Sequence, residues 1–193
     1  MHRARLALFA SFALAVSTVA AQARELPVHK GSEVSYSVKD AMIVGSHFIH
    51  GVDTAITGTI AWSDSSKSVR FPSTLSIASG EFHTDIAMRD RRVATLLEKE
   101  AHPSIAFTLE SADPPLSAPL PVKSTVKGTL EVRGVKKALS IPVTLATADG
   151  VVTVSGSVQV DFEDFGLTPP KVPLVAKAIN PLTLDVKILV DAP

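Results

Sequence analysis

Residues 126–133 read Val126-Lys127-Gly128-Thr129-Leu130-Glu131-Val132-Arg133, and this stretch decides the fold. Apolar residues or glycine fill its even-numbered positions, whereas every odd-numbered position is charged or polar. Successive side chains of a β-strand point to opposite faces, so this alternation predicts a strand with one buried face and one face in water. The Arg133-Gly134 pair predicts a tight turn into a neighbouring antiparallel strand.

The same alternation recurs along most of the chain from about Glu33 onward. The further segments place on one face Val34, Tyr36 and Val38; Ile56, Gly58, Ile60 and Trp62; Phe71, Leu75 and Ile77; Ile105, Phe107 and Leu109; Leu139, Ile141, Val143 and Leu145; Val152, Val154, Val158 and Val160; and Leu182, Leu184, Val186 and Ile188. Turn signals such as Asp149-Gly150 separate them. We therefore predict an all-β domain of about eight antiparallel strands.

Periodicity does not by itself distinguish a closed barrel from a two-sheet sandwich. Hairpin-length connections dominate, and the inward-facing set is aliphatic and includes Gly128 and Gly156, which contribute no side chain. Both features favour an eight-stranded antiparallel β-barrel, which is just wide enough to be filled by side chains or to hold one small ligand. We expect the two glycines to leave room for an apolar cavity.

Three segments break the alternation. Residues 84–100 carry spaced apolar residues among charges, which predicts one short helix that ends at His102-Pro103 and plugs or flanks the sheet. Residues 113–121 are proline-rich and are typical of a surface connection. Residues 165–177 contain Pro169, Pro170 and Pro173, which forbid regular strand pairing.

The start of the chain, residues 1–23, has the pattern of a cleavable secretory signal peptide. A basic start with Arg3 and Arg5 precedes an apolar run at residues 6–16, and Ala21-Gln22-Ala23 is a small-x-small site at which signal peptidase can cut. An uncleaved membrane anchor is the alternative, but the run is shorter than the ~20 residues that a spanning helix needs. We predict an exported, periplasmic protein whose residues 24–193 form a single domain.

Composition narrows the functional classes further. The chain has no cysteine, so an exported domain would depend on its core and on no disulfide. Its 19 basic and 19 acidic residues become 17 against 19 once Arg3 and Arg5 are removed with the leader. This near-neutral balance argues against nucleic acid as a partner. No block of like charge or long apolar run in the mature chain predicts a membrane-surface patch or stable membrane insertion.

The sequence contains no motif for catalysis or cofactor binding. There is no cysteine, no Gly-x-Ser-x-Gly elbow and no glycine-rich phosphate loop. His47 and His50 would fall on opposite faces of a strand, so they could not chelate one metal together, and His83 and His102 are typical of loops. We predict a protein that is not an enzyme and holds neither cofactor nor metal. The enzyme alternative is an isomerase or hydrolase with Asp85 or His83 as general base.

Four stretches, in order, resemble the YceI family of exported lipid-binding proteins. They are residues 82–107, which contain Arg89-Asp90, His102-Pro103 and Ile105-Ala106-Phe107; residues 126–137, which read as Gly-x-Leu-x-x-x-Gly-x-x-Lys; residues 159–166, which end in Asp164-Phe165-Gly166; and residues 182–190, at the place of the family's closing strand. The chain has Phe162-Glu163 where the family commonly has Ser-Arg.

The resemblance implies a lipocalin-like barrel whose elongated apolar cavity holds a long-chain polyisoprenoid, an isoprenoid quinone or a fatty-acyl amphiphile. The predicted ligand-binding residues are Phe107, Val126, Leu130, Val132, Val154, Val158, Leu184 and Val186 around the tail, with Arg89 and Asp90 at the mouth as the family pattern implies. A solidly packed interaction module that binds no ligand is the remaining alternative. The sequence leaves a homodimer open.

Overall fold

The computed structural model describes residues 23–42, 45–172 and 176–193. Its strands are β1 (Ala23–Pro27), β2 (Glu33–Met42), β3 (Ser46–Asp53), β4 (Ile56–Ser63), β5 (Ser68–Val69), β6 (Ser73–Ala78), β7 (Ser104–Asp113), β8 (Val122–Val132), β9 (Val135–Ala148), β10 (Val151–Val160), β11 (Lys171–Val172) and β12 (Ala176–Asp191). One α-helix, α1 (Ala87–Leu96), and one 3-10 turn (Phe162–Phe165) accompany them. The predicted all-β class with one short helix is confirmed. The predicted leader, apart from Ala23, lies outside the described residues.

The number of strands exceeds the predicted value of about eight, because the described ranges contain twelve. The predicted strands correspond to β2, β4, β6 to β10 and β12, whereas β1, β3, β5 and β11 are additional. β5 and β11 are short pieces of two residues each. β3 escapes prediction because its two buried positions hold Gly51 and Asp53, so no apolar alternation marks it.

All pairs of these strands are antiparallel, and the sheet runs β1-β4-β6-β7-β8-β9-β10-β12-β2-β3. β12 pairs with β2, so the last strand lies beside the first long one. Near the two ends of this path, Val28 bridges Val190, and Val52 and His83 exchange backbone hydrogen bonds of 2.9 Å. The sheet is curled into a half-barrel around one apolar core, which confirms the predicted barrel-type architecture.

Two tight turns join β8 to β9 and β9 to β10, as predicted. Arg133 and Gly134 have φ angles of 51° and 76°, and Asp149 and Gly150 have φ angles of 52° and 77°. Positive φ at both central residues matches the turn type whose twist suits a two-residue hairpin. Glycine at the second position relieves half of the strain that such a turn imposes.

The helix α1 is shorter at both ends than the predicted residues 84–100. It begins after a turn in which the Ile86 amide donates to the Thr84 hydroxyl at 3.2 Å. It ends at Leu96, and Glu98 follows with a φ of 51°, a left-handed conformation that cannot continue an α-helix. In the described ranges, no helix has both the length and the apolarity needed to cross a bilayer.

Proline restricts the sheet at the positions that the sequence indicates. Residues 113–121 form the predicted surface connection between β7 and β8. In the second proline-rich segment, residues 165–170 form no strand, and pairing among the described residues begins with β11 against the start of β12. Pro181 lies inside β12, where the register shifts between Ile179 and Leu182, and such a bulge tolerates a residue that lacks an N–H group.

The expectation that Gly128 and Gly156 leave room in the interior is wrong. A Cβ atom at Gly128 would lie 2.3 Å from the Thr108 carbonyl oxygen and 2.8 Å from Cζ of Phe107. A Cβ atom at Gly156 would lie 2.9 Å from the Pro142 carbonyl oxygen. The two glycines therefore permit close approach of neighbouring strands and side chains, and the interior space arises elsewhere.

We expect Gly128→Ala to lower the free energy of unfolding by about 1–3 kcal/mol, because the methyl group would overlap a backbone carbonyl of the β7–β8 ladder. Gly80→Ala is the matched control, since the nearest neighbours of its Cβ would all be atoms of the flexible Lys99 side chain. Urea unfolding of both variants measures the difference. Equal stability of the two would contradict close packing at Gly128.

Asp53, at the end of β3, is fully buried, with 0% of its surface exposed. Its Oδ1 atom accepts a hydrogen bond from the Ala55 amide at 2.6 Å, which fixes the turn into β4. Its Oδ2 atom has no hydrogen-bond partner among the described residues. Burial raises the pKa of this carboxyl group, and the Ala55 amide opposes the rise.

The raised pKa makes Asp53 a source of pH-dependent stability. The folded chain holds this proton more tightly than the unfolded chain, so stability rises as pH falls through the raised pKa towards the ordinary value of 3.8. We expect the unfolding free energy of the parent chain to increase over this interval relative to that of Asp53→Asn, which keeps the acceptor for Ala55. Denaturant titrations of both proteins at several pH values measure the difference. A difference that stays constant, or changes in the opposite direction, would contradict the assignment.

Candidate functional site

Four cavities lie inside the curled sheet. The rim chamber, about 420 Å³, lies between α1 and the adjoining ends of β2, β3 and β12. The helix chamber, about 170 Å³, lies under the apolar face of α1. The waist, about 100 Å³, is enclosed by strands alone, and the far chamber, about 270 Å³, lies under residues 116–120 of the surface connection.

The order of the cavities follows from the walls that neighbours share. The rim and helix chambers share Ile49, Arg89, Val93, Leu96, Pro170 and Ala178; the helix chamber and the waist share Val34, Ile77, Leu130 and Leu184; and the waist and the far chamber share Leu75, Leu109, Val126, Val154 and Ile188. Cavities that are not neighbours share no described lining residue. The four cavities therefore form one row, a shape that suits a long chain better than a compact ligand.

The lining surface of all four cavities is mostly apolar, but charged side chains join it towards one end of the row. Every described side chain that lines the waist is hydrophobic, and the described lining of the far chamber adds only Ser117 and Thr147 as polar residues. The rim chamber, in contrast, is lined by charged side chains, including Arg92 and Lys171. This arrangement fits a molecule with an apolar tail and a polar head at the rim end.

Nine of the ten predicted ligand-binding residues lie on the walls of this row. The waist contains Phe107, Val126, Leu130, Val154, Val158, Leu184 and Val186; Val132 lines the helix chamber; and Arg89 lines both the helix and rim chambers. Asp90 lines none of the four. Strand alternation brings the apolar members together, because inward positions of neighbouring strands, such as Val158 and Leu184, face each other in register.

α1 supplies lining residues that the sequence analysis did not include in the site. Val93, Leu96 and Leu97 recur at helical spacing and line the helix chamber. This periodicity predicts an apolar helix face. It does not predict what that face covers, because the helix joins the sheet by tertiary packing alone.

Arg89 and Tyr36 are the two polar side chains among the described residues that line the helix chamber. The Arg89 Nη1 atom donates to Asp85 Oδ1 at 2.5 Å, and the Arg89 side chain is 24% exposed. Burial raises the pKa of the Tyr36 phenol to about 12, against the opposing influence of the Arg89 charge. Tyr36 packs edge-to-face on Phe82, with ring centroids 5.6 Å apart. The phenol therefore stays protonated at neutral pH, as a hydrogen-bond donor beside a fixed cation.

Asp90 anchors the start of the helix instead of lining a cavity. Its Oδ1 atom accepts hydrogen bonds from the Thr84 amide at 2.8 Å and from the Thr84 hydroxyl at 2.6 Å. These bonds, with the hydroxyl bond the larger contribution, hold the pKa of Asp90 below its usual value. Asp90 thereby fixes the turn from which Arg89 projects.

The 3-10 turn closes the helix chamber from the other side. Phe162 and Phe165 are buried and line this chamber. Lys137 of β9 donates to Asp164 at 2.5 Å, and this bond keeps the pKa of Asp164 below its usual value. Glu163, at the place of the family's common arginine, accepts from the Asn180 amide group instead of lining a cavity.

The proposed general bases of the enzyme alternative lie outside the row. His83 and Asp85 line none of the four cavities, and their side chains are 69% and 79% exposed. His47 lines the rim chamber, whereas His50 bonds to Ser37 at 2.7 Å, as expected for opposite faces of a strand. The described residues contain no cluster of three or more side chains suited to hold a metal ion.

The chain is similar to one family model and to several solved structures. A family model of the YceI-like domain matches residues 28–190. BcnA of Burkholderia cenocepacia is 18% identical, with a TM-score of 0.65 over 84% of this chain and 98% of that chain. A polyisoprenoid binding domain from Saccharophagus degradans, implicated in plant cell wall breakdown, is 13% identical, with a TM-score of 0.65 over 88% of this chain and 98% of that chain. The Campylobacter jejuni YceI protein is 15% identical, with a TM-score of 0.58 over 74% of this chain and 84% of that chain.

None of the curated proteins compared with the chain matches it. At such low identities the solved structures establish the shared fold alone. The family model carries more weight, since it extends from the residue after β1 almost to the end of β12. The match spans the helix, the 3-10 turn and the strands that line the helix chamber and the waist, so the chain belongs to the YceI-like domain family.

Proposed function

We propose that this chain is an exported, periplasmic binding protein that holds a long-chain polyisoprenoid, isoprenoid quinone or fatty-acyl amphiphile. The observation that carries the proposal is the row of four cavities, apolar at the waist and charged only towards the rim chamber. A hydrocarbon tail in the row would leave water at about 0.8 kcal/mol per methylene, less the cost of ordering the tail. Affinity comes mainly from the tail, and the head sets orientation.

A structural neighbour supports the choice of ligand class. The Saccharophagus degradans protein is described as a polyisoprenoid binding domain and has the same fold. A binding role also suits the side chains of the waist, since none of them can donate or accept a proton. His83 and Asp85, the bases named for the enzyme alternative, are exposed and lie beside none of the four cavities.

Export is proposed from the leader pattern of residues 1–23. Cleavage after Ala23 would make Arg24 the first residue of the mature protein, and Arg24 is the second residue of β1. We expect mass spectrometry of the protein from an osmotic-shock fraction to find this N-terminus. Recovery of the uncleaved chain from the membrane fraction would favour the anchor alternative.

The binding proposal is tested by purifying the full chain from a native envelope under non-denaturing conditions and analysing its organic extract by mass spectrometry. We expect a co-purifying long-chain lipid. Polyprenol, isoprenoid quinone or fatty acid added to delipidated protein should raise the melting temperature by several degrees, because saturation at about 100 times Kd contributes about 2.7 kcal/mol. No extracted lipid together with no thermal shift from any of the three would overturn the proposal.

A further inference from the structure

Among the described residues six large hydrophobic side chains are exposed, and four of the six lie at or beside the rim chamber. The six are Met42 (40% exposed), Phe48 (64%), Val52 (37%), Ile86 (45%), Met88 (56%) and Val135 (40%). Met42, Ile86 and Met88 line the rim chamber, and Phe48 follows His47, which also lines it. Single exposed hydrophobic residues are ordinary, but a cluster around the opening of an apolar cavity marks an interaction surface.

Basic side chains surround this cluster. The ends of β2, β3, β11 and β12, together with residues 85–92, hold Lys39, Arg89, Arg91, Arg92, Lys171 and Lys177 against Asp40, Asp85 and Asp90. Two of the three carboxylates are already engaged, because Asp85 pairs with Arg89 and Asp90 accepts two bonds from Thr84. The whole chain has a formal charge of zero, so this end is positive relative to the rest.

The opposite end of the row has a different character. The far chamber is lined by no charged side chain, and none of its described lining residues is an exposed large hydrophobic one. Apolar and basic side chains therefore coincide at one end only. Their positions are scattered along the sequence, which explains why no run of charge predicts a surface patch.

We propose that this surface, the docking rim, contacts the face of a bilayer that contains anionic phospholipids. The docking rim consists of Met42, Phe48, Ile86 and Met88 with Lys39, Arg91, Arg92, Lys171 and Lys177. Apolar side chains enter the headgroup boundary, and basic side chains meet the negative surface potential. Because five of these nine side chains also line the rim chamber, docking sets that chamber against the lipid, where a tail passes to or from the row. The proposal rests on the proposed function and adds the membrane surface as the partner.

Flotation with vesicles tests the docking rim. The full chain is mixed with vesicles of phosphatidylcholine alone or of phosphatidylcholine with phosphatidylglycerol. We expect flotation with the mixed vesicles, little with phosphatidylcholine alone, and a loss of flotation in concentrated salt. Lys39→Glu combined with Lys177→Glu should weaken binding more than roughly tenfold, because two attractive charges become repulsive. Phe48→Glu should have an effect in the same direction.

Matched controls separate the rim from a general charge effect. Lys123→Glu and Thr144→Glu each add an exposed carboxylate on neighbouring strands near the far chamber and should leave flotation unchanged. Lys39, Phe48 and Lys177 line none of the cavities, so their variants should still bind a lipid delivered in solution. Their melting temperatures verify that they fold.

The outcomes distinguish the two proposals. Capture of lipid in solution without flotation on mixed vesicles would overturn docking and leave the binding protein intact. Flotation without any captured lipid would overturn the binding protein and leave docking intact. Flotation that the rim variants do not weaken would overturn docking through this surface. A dimer in solution that Phe48→Glu dissociates, with no vesicle binding, would assign the surface to a second copy of the chain and also overturn the membrane proposal.

Discussion

Val158→Phe is expected to abolish tight binding of long tails while short tails remain bound. Val158 lines only the waist, whose volume is about 100 Å³, so a phenyl ring there fills the passage between the helix and far chambers. A tail would then end at the helix chamber. If about four methylenes lose their burial at about 0.8 kcal/mol each, affinity falls roughly a hundredfold.

A series of isoprenoid or fatty-acyl ligands of increasing length measures this effect. In the parent chain, affinity should rise with length until the tail occupies the far chamber. In Val158→Phe the rise should stop early. Ser157→Phe is the control, because residue 157 is exposed on the outer face of β10 next to Val158. Equal length dependence in the parent and Val158→Phe would place the tail outside the waist and contradict the row as the binding site.

Arg89→Met is expected to weaken ligands with an anionic head and to leave those with an uncharged head nearly unaffected. Among the described residues Arg89 is the only charged one that lines the helix chamber, and it also lines the rim chamber. Hydrogen bonds to charged groups contribute about 1.5–3 kcal/mol, so the loss should be roughly tenfold or more. Methionine keeps an unbranched apolar side chain in the wall, which limits the loss of packing.

Titration with a fatty acid and with the corresponding alcohol at neutral pH measures the head contribution. Arg91→Met is the matched control, since Arg91 is an exposed residue of the same helix and lines no cavity. If Arg89→Met weakens the acid and the alcohol equally, Arg89 acts by packing. If it weakens neither, the head lies elsewhere. Either result contradicts the assigned role.

The strand alternation predicted most of the fold because one face of each long strand packs on a single core. It identified β8 with its turn into β9 and the other long strands whose inward positions are mainly apolar. It missed β3, since Gly51 and Asp53 occupy the buried positions there and register, not hydrophobicity, holds the strand. It also overextended α1, because the left-handed conformation of Glu98 leaves no mark in the pattern of apolar residues.

The candidate site also contains some residues that the sequence predicted and others that it did not. Wall residues of the cavities such as Leu130 and Leu184 follow from alternation, since the inward positions of a curled sheet face one core. Gly128 creates no cavity, because Phe107 occupies the space beside it. The sequence could not predict the role of Asp90 or the position of the docking rim. Both depend on how the start of α1 packs against the ends of β2, β3, β11 and β12.

The pairing of β12 with β2 determines when the cavity comes into existence. The Leu189 amide donates to Ser32 Oγ across a separation of 157 residues. Closing so long a loop costs entropy before any contact compensates for it, and contacts of this kind slow folding. Both the helix chamber and the waist need side chains from β2 and β12, so neither has a complete wall until the final 16-residue strand joins the sheet. These two cavities can therefore accept a ligand only after β12 has joined β2.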